Sequence, residues 1–334
     1  MTDQQPADAQ PAPVGPPPPF DPELAGLLEA IGKDLPPALL PDMIPALRRS
    51  PLMEPPSDET LSLDGAFAFE DRTVPGPQGA PDVSLLVLRP AGERGPLPAL
   101  YVMHGGGMIV GTRHSGALGF LELARELRAV VVSVEYRLAP EHPHPAPAED
   151  CYAGLLWTAA HAADIGVDPG RIVLAGASAG GGLAAGVALM ARDRGGPQLA
   201  GQLLLCPMLD DRNDTPSSYQ MAGIGVWDRT ANNTGWTALL GEACGGPDVS
   251  PYAAPARAED LSGLPPAFID VGSAETFRDE DIAYASRLWQ AGGSAELHVW
   301  PGGFHGFSGM APQAALSRDA GAAPLAWLRR LLAN

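Results

Sequence analysis

A serine between glycines is the residue of this sequence that most directly suggests chemistry. Ser178 is the central residue of a GxSxG motif at 176–180, between a predicted strand at 172–175 and a predicted helix at 179–192. At such a turn the serine Oγ is lifted away from the backbone, and the N–H groups of the helix start face developing negative charge. The same five residues can also form a glycine-rich helix start capped by serine, so the motif alone leaves both interpretations open.

A glycine-rich turn follows an earlier predicted strand at 99–103. It reads His104-Gly105-Gly106-Gly107 and lets backbone N–H groups face an oxyanion with no side chain in the way. Such a turn can supply one half of an oxyanion hole, and the N–H group of Ala179, the residue after the serine, can supply the other half. The alternative is a phosphate-binding loop, but no Lys-Ser or Lys-Thr pair follows the glycines.

A histidine and several carboxylates follow the serine in the order that acid–base chemistry needs. His305 lies in a loop after a predicted strand at 296–300, where it can act as base and then as acid. Glu275 is the carboxylate nearest the end of the predicted strand 267–271, so we expect it to orient the imidazole. Asp279 is the alternative acid, although its position suits the start of the next helix.

The elements that must position these groups alternate along the chain from about residue 66. Many of the short runs are apolar throughout, as in strands that helices cover on both faces. Strands are predicted at 83–88, 99–103, 130–134, 172–175, 202–206, 267–271 and 296–300, and helices at 118–128, 148–163, 179–192, 280–290 and 314–332. This alternation predicts an α/β fold with a mostly parallel sheet and the site at the carboxyl ends of its strands.

The composition excludes several classes of partner. The net charge of −18 disfavours nucleic acid and any stable association with an anionic membrane. The three cysteines have no CxxC spacing, which suits a reducing cytoplasm. The early residues lack a signal-peptide pattern and no run of about 18 apolar residues occurs, so we expect a cytoplasmic protein. The oligomeric state stays open, with a homodimer among the alternatives.

Four motifs in order resemble those of the hormone-sensitive lipase-like esterases, which are α/β-hydrolases. They are the HGGG turn at 104–107, YRLAPEHP at 136–143, GxSxG at 176–180 and FHGF at 304–307. The resemblance implies a triad of Ser178, an acid and His305, and a helical cap near the N-terminus. It also implies an oxyanion hole formed by the N–H groups of Gly106, Gly107 and Ala179. Two departures are Glu275, where the family usually has Asp, and Met108, where it often has an aromatic residue.

The resemblance also suggests how the chain is divided. Residues 1–20 are proline-rich and are expected to form a mobile tail. Residues 21–60 carry apolar residues at helical spacing and are expected to form the helical cap. Residues 61–334 are then the α/β-hydrolase catalytic domain, with an insertion at about 207–260 that contributes to the pocket.

The expected function is that of a serine carboxylesterase acting on a small-molecule ester with a short to medium acyl chain. Ser178 forms the acyl-enzyme, with no metal or organic cofactor implied. Met108 and Trp227 are predicted walls of a largely apolar pocket. Because the triad does not fix the leaving group, lactones, amides and carbamates stay open as substrates. A non-catalytic small-molecule receptor on the same scaffold is the alternative from another class.

Overall fold

Runs of branched apolar residues form the strands at the centre of the computed structural model, which describes residues 14–32 and 38–333. Within this part of the chain eight strands form one sheet in the order β1-β2-β4-β3-β5-β6-β7-β8. The strands are β1 Phe67–Val74, β2 Val83–Pro90, β3 Leu97–Met103, β4 Val130–Glu135, β5 Val167–Ala177, β6 Gly201–Leu205, β7 Ala267–Gly272 and β8 Ala295–Trp300. The pairings of β2 with β1 and with β4 are antiparallel, and the others are parallel. The predicted α/β-hydrolase sheet is therefore confirmed.

The strand at the edge of the sheet, β1, is absent from the sequence-based prediction. It pairs with β2 along its whole length, from Phe67 opposite Pro90 to Val74 opposite Val83. Between its two buried ends most of its side chains are exposed. A strand with so little buried surface carries too weak an apolar pattern to be recognised from sequence.

Helices cover both faces of the sheet. They are α1 Pro22–Ile31, α2 Ile44–Leu47, α3 Asp58–Leu61, α4 Arg113–Leu118, α5 Leu121–Leu127, α6 Ala146–Ala160, α7 Ala179–Arg194, α8 Pro216–Gln220, α9 Arg229–Leu240, α10 Arg278–Gln290, α11 Phe307–Met310 and α12 Ala315–Leu332. The helix predicted at 118–128 corresponds to α5, which begins at Leu121, and the separate short helix α4, which ends at Leu118, is not predicted. None of the described helices is both long and apolar enough to span a membrane.

Alternate residues of the central strands enter two different hydrophobic cores. In β3, Tyr101 and Met103 belong to the core that contains α6 and α7, whereas Leu100 and Val102 belong to the core with α5 and α12. Side chains of a strand alternate between the two faces, so a run that is apolar throughout supplies both cores. Because both faces of the sheet are packed, the carboxyl ends of its strands are fixed, and so are the starts of the loops that follow them.

The segment before β1 packs over the loops at that edge. In α1, Asp21 caps the helix by accepting from the N–H groups of Glu23 and Leu24. Leu24 is completely buried and packs with Phe304 and Phe307, the residues that flank the predicted catalytic histidine. Of the expected mobile tail, residues 1–13 lie outside the described residues, and the carbonyl oxygens of residues 15 and 16 accept from the side chain of Gln220.

Candidate active site

The order of the strands brings the chemically suggestive residues to one edge of the sheet. Ser178 directly follows β5, Glu275 follows β7 by three residues, and His305 follows β8 by five residues. The HGGG turn follows β3, which is the neighbour of β5. Because all these strands are parallel, residues that are far apart in the chain meet at their carboxyl ends.

Ser178 lies in a strained turn between β5 and α7. Its φ of 58° and ψ of −125° are outside the regions that non-glycine residues ordinarily adopt. The close approach depends on its flanking glycines, since a Cβ on Gly176 would lie 2.2 Å from the oxygen of Gly180. A Cβ on Gly180 would in turn lie 2.0 Å from the oxygen of Met103 in β3. The strain keeps the serine hydroxyl at the start of the helix, clear of the backbone.

The three side chains predicted as a triad are joined by two hydrogen bonds. The Nε2 of His305 lies 2.9 Å from the Oγ of Ser178, and its Nδ1 lies 2.6 Å from the Oε1 of Glu275. The side chain of Glu275 is 1% exposed and that of His305 is 12% exposed. An imidazole held in this way can take the serine proton at Nε2 while the carboxylate stabilises its cation at Nδ1.

Of the two carboxylates that the sequence offers as the triad acid, the structure places only Glu275 against the imidazole. Glu275 also accepts at Oε2 from the N–H of Gly272, at 3.1 Å, so both of its oxygens have partners. Asp279 instead accepts from the N–H of Ser217 at 2.7 Å and pairs with Arg278. It connects α10 to α8 and is not bonded to the imidazole.

The HGGG turn lies against the serine turn. A Cβ on Gly105 would be 3.5 Å from the Cβ of Ser178. Gly106 has a φ of +107°, a conformation that favours glycine, and its carbonyl accepts from the N–H groups of Ile109 and Val110. Among the described residues, the N–H groups of Gly106, Gly107 and Ala179 have no hydrogen-bond acceptor. Unpaired donors beside the serine are suited to an oxyanion.

Aromatic stacking and ion pairs hold this turn in place. The ring of His104 stacks on Tyr136 at 4.0 Å, and the hydroxyl of Tyr136 donates to the carbonyl of His104 at 2.8 Å. Burial lowers the pKa of His104, which favours its neutral form. Next to Tyr136, Arg137 makes a bidentate pair with the buried Asp150, with both distances 2.7 Å. His104 thus supports the turn through its ring and its backbone carbonyl.

One arginine, for which sequence reasoning provided no signal, connects three parts of the site. Arg48, just after α2, donates from Nε to the carbonyl of Ile109 at 2.7 Å and from Nη2 to that of Ala139 at 2.5 Å. Its Nη1 lies 2.9 Å from both carboxylate oxygens of Glu141. The partners lie 61 to 93 residues away along the chain, so no local pattern could reveal them.

The two predicted pocket walls have different environments. Trp227 is partly exposed, and its Cη2 is only 2.4 Å from the position of a Cβ on Gly107. Its ring centroid is 6.3 Å from that of His305, so it borders the reacting groups. Met108 is completely buried in the core and, with a φ of +62°, packs against Gly182 of α7. It therefore presents no exposed surface to a substrate, which corrects the prediction that it forms a wall.

Several further carboxyl groups surround Glu275. Asp270, at the end of β7, accepts from Trp300 Nε1 at 3.0 Å, and burial raises its pKa to about 7. Burial also raises the pKa values of Glu280 and Asp281 well above their usual range, and neither oxygen of Asp281 has a hydrogen-bond partner. Burial thus shifts the ionisation of all three carboxyl groups toward their neutral forms.

Comparisons with known proteins agree with this geometry. The family model described as "alpha/beta hydrolase fold" matches residues 100–309. The carboxylesterase NlhH of Mycobacterium tuberculosis is 39% identical over 270 residues, which are 79% of this chain and 83% of that protein. The esterase LipI of the same species is 36% identical over 256 residues, covering 75% and 79%.

A solved structure titled "Bacterial Heroin Esterase" superposes on this chain with a TM-score of 0.84. It is 42% identical in sequence, and the match covers 94% of this chain and 98% of that one. The sequence relatives, the matched family and the fold thus agree with the resemblance first seen in four motifs. The chain belongs to the α/β-hydrolase family, in its hormone-sensitive lipase-like branch, and is a serine carboxylesterase.

Proposed function

We propose that the chain hydrolyses small carboxylic esters with short to medium acyl chains through an acyl-enzyme on Ser178. The observation that carries the proposal is the continuous relay from Glu275 through His305 to Ser178, with distances of 2.6 and 2.9 Å. The same three side-chain types in the same arrangement perform acyl transfer on unrelated folds.

Acylation begins when Oγ of Ser178 attacks the ester carbonyl and His305 takes the serine proton at Nε2. The carbonyl oxygen becomes an oxyanion, which the N–H groups of Gly106, Gly107 and Ala179 bind. The imidazolium then donates its proton to the leaving alcohol, and the C–O bond breaks. Glu275 keeps the Nδ1 proton oriented and stabilises the cation without itself being protonated.

Deacylation repeats these steps with water as the nucleophile. His305 takes a proton from water, and the resulting attack on the acyl carbonyl forms a second oxyanion in the same hole. When this intermediate collapses, the proton returns to Ser178 and the carboxylic acid leaves. The chain supplies every proton acceptor and donor that this cycle needs.

The proposed limit on acyl length is supported by the aromatic side chain beside the oxyanion turn. Trp227 lies against Gly107, and its indole Nε1 donates to the side-chain oxygen of Asn232 at 3.4 Å. An apolar ring in this position favours binding of an alkyl or aryl group next to the reacting carbonyl. We expect the largest kcat/KM for chains that fit beside this ring.

The test is hydrolysis of p-nitrophenyl esters from acetate to laurate by the intact protein, Ser178→Ala and His305→Ala. We expect turnover in the intact protein with a maximum at a short to medium chain, and a loss of at least about 10⁴-fold in kcat for both variants. Trp227→Ala should shift the maximum to longer chains. Ester turnover that persists in Ser178→Ala would overturn the proposal.

We also propose a cytoplasmic location, supported by three free cysteines, Cys151, Cys206 and Cys244, and by the absence of a spanning helix among the described residues. Fractionation of the native host, with the esterase activity followed beside a cytosolic marker enzyme, tests this. Activity that is recovered with the envelope or the medium would contradict it.

A further inference from the structure

A cysteine lies at the same sheet edge as the three triad side chains, and the mechanism does not use it. Cys206 directly follows β6, the strand between β5 and β7, so it lies between the serine turn and the triad acid. Its N–H donates to the carbonyl of Asp270 at 2.7 Å, and its φ of +38° is unusual for a residue with a side chain.

The thiol forms a set of metal-type ligands with two triad residues. One donor atom each from Cys206, Glu275 and His305 lies within 4.8 Å of the other two. Thiolate, imidazole and carboxylate are the three ligand types that zinc takes in proteins, often with a fourth position left to water. Harder cations such as Mg²⁺ and Ca²⁺ prefer oxygen ligands only.

We propose that Cys206, Glu275 and His305 form an inhibitory site for a soft divalent cation such as Zn²⁺ or Cd²⁺. In tetrahedral zinc sites the ligand atoms are about 3.3 to 3.6 Å apart. The bond of 2.6 Å between His305 Nδ1 and Glu275 Oε1 must therefore open slightly, and the thiol must move toward them. These movements are small, because the three ligand atoms already lie within 4.8 Å of one another.

A cavity beside Cys206 and Glu275 offers the cation a route to these ligands. The cavity has a volume of about 590 Å³ and is lined by Cys206 and Glu275 together with residues of α5 and α12. Its lining includes three further carboxyl groups, Glu122, Glu126 and Asp270, against a single cationic side chain, Arg318. Glu122 and Glu126 carry surface ion pairs, whereas Asp270 accepts only a neutral hydrogen bond, from Trp300. The carboxyl oxygens of this lining can contact a hydrated cation on its way to the thiol.

Binding blocks the proposed proton transfer in a defined way. The cation takes the place of the proton between Nδ1 and Glu275, so the neutral imidazole carries its proton on Nε2 and cannot accept one from Ser178. The thiol loses its proton to solvent, one proton is released for each ion bound, and no electron is transferred. The inhibition rests on the role proposed for His305, whereas binding of the cation does not.

The test is titration of the full-length protein with Cd²⁺ in the absence of chelators and thiols. Thiolate-to-metal charge transfer in the ultraviolet reports binding, and the loss of p-nitrophenyl ester hydrolysis reports inhibition. In the intact protein we expect the absorption band and the loss of hydrolysis to have the same midpoint in Cd²⁺ concentration, and EDTA to reverse both. Cys206→Ser and Cys206→Ala should lose the absorption band. Each variant should also need at least about tenfold more Cd²⁺ to reach half of the rate that the same variant has without metal.

Cys244→Ser is the matched control, because Cys244 is also half-buried but lies beside Asp211, in the segment after α9. It should behave as the intact protein does. An absorption band that persists in both Cys206 variants, or a protein that gives no band, would overturn the proposal. The proposed function is tested separately: Ser178→Ala should be inactive and still give the band.

Discussion

Replacement of Glu275 by glutamine tests whether catalysis needs a carboxylate at this position. Both oxygens of Glu275 accept hydrogen bonds, Oε1 from Nδ1 of His305 at 2.6 Å and Oε2 from the N–H of Gly272 at 3.1 Å. Glutamine has the same shape but only one oxygen. If that oxygen faces Gly272, the amide NH₂ faces Nδ1 and forces the imidazole proton onto Nε2, where it cannot act as base for Ser178.

The size of the loss follows from this tautomer argument and from burial. A triad acid replaced by its amide costs about 10⁴-fold in kcat, which is about 5.4 kcal/mol of transition-state stabilisation. Glu275 is 2% exposed, so bulk solvent does little to screen the charge that it places beside the imidazolium. Glu275→Asp retains the charge but withdraws it by about 1.5 Å, one carbon–carbon bond, and should cost about 10²-fold.

The assay compares kcat for p-nitrophenyl butyrate in Glu275→Gln, Glu275→Asp and Asp279→Asn, with circular dichroism as a check on folding. Asp279 bonds to Ser217 and Arg278 and not to the imidazole, so Asp279→Asn should stay within a few-fold of the intact protein. The reasoning is refuted if Glu275→Gln retains a tenth of the activity, or if Asp279→Asn loses as much as Glu275→Gln.

Three further predictions concern the surroundings of the triad. Gly106→Ala places a side chain at a φ of +107° and 2.2 Å from the oxygen of Val110, so kcat should fall at least about 10²-fold with little change in KM. Arg48→Met removes the hydrogen bonds to two backbone carbonyls and should lower both Tm and kcat, whereas the same change at the exposed neighbour Arg49 should alter neither. Asp270 has a folded-state pKa of about 7, above its ordinary value of 3.8, so its ionisation costs stability as the pH rises between these values. The free energy of unfolding in urea should therefore increase for Asp270→Asn relative to the intact protein between pH 4 and pH 8. A difference between the two free energies that does not change with pH would contradict this.

The parts of the fold that follow from sequence are those governed by local pattern. Strands such as β3 and β5 are apolar because both faces are covered, and the turns after them carry glycines because backbones approach closely there. The order of Ser178, Glu275 and His305 along the chain matches the order of strands β5, β7 and β8 in the sheet. The sheet, its flanking helices and the site at its carboxyl edge could therefore be predicted from sequence.

The parts that could not be predicted depend on where a side chain points or on a distant partner. Met108 looked like a pocket wall from its place after the HGGG turn, but its left-handed backbone directs the side chain into the core. Arg48 and Cys206 take their significance from residues more than 60 positions away. The division into tail, cap and catalytic domain remains a prediction from composition, from helical spacing and from the family resemblance.

The most direct test of the central claim, that Ser178 carries the acyl group, is intact-protein mass spectrometry after rapid acid quench with a slowly released p-nitrophenyl ester. The account predicts that one acyl group is added to the protein, that it maps to the peptide containing Ser178, and that it disappears in Ser178→Ala. An acyl group on another residue, or ester turnover with no covalent species in the intact protein and undiminished rate in Ser178→Ala, would contradict the account.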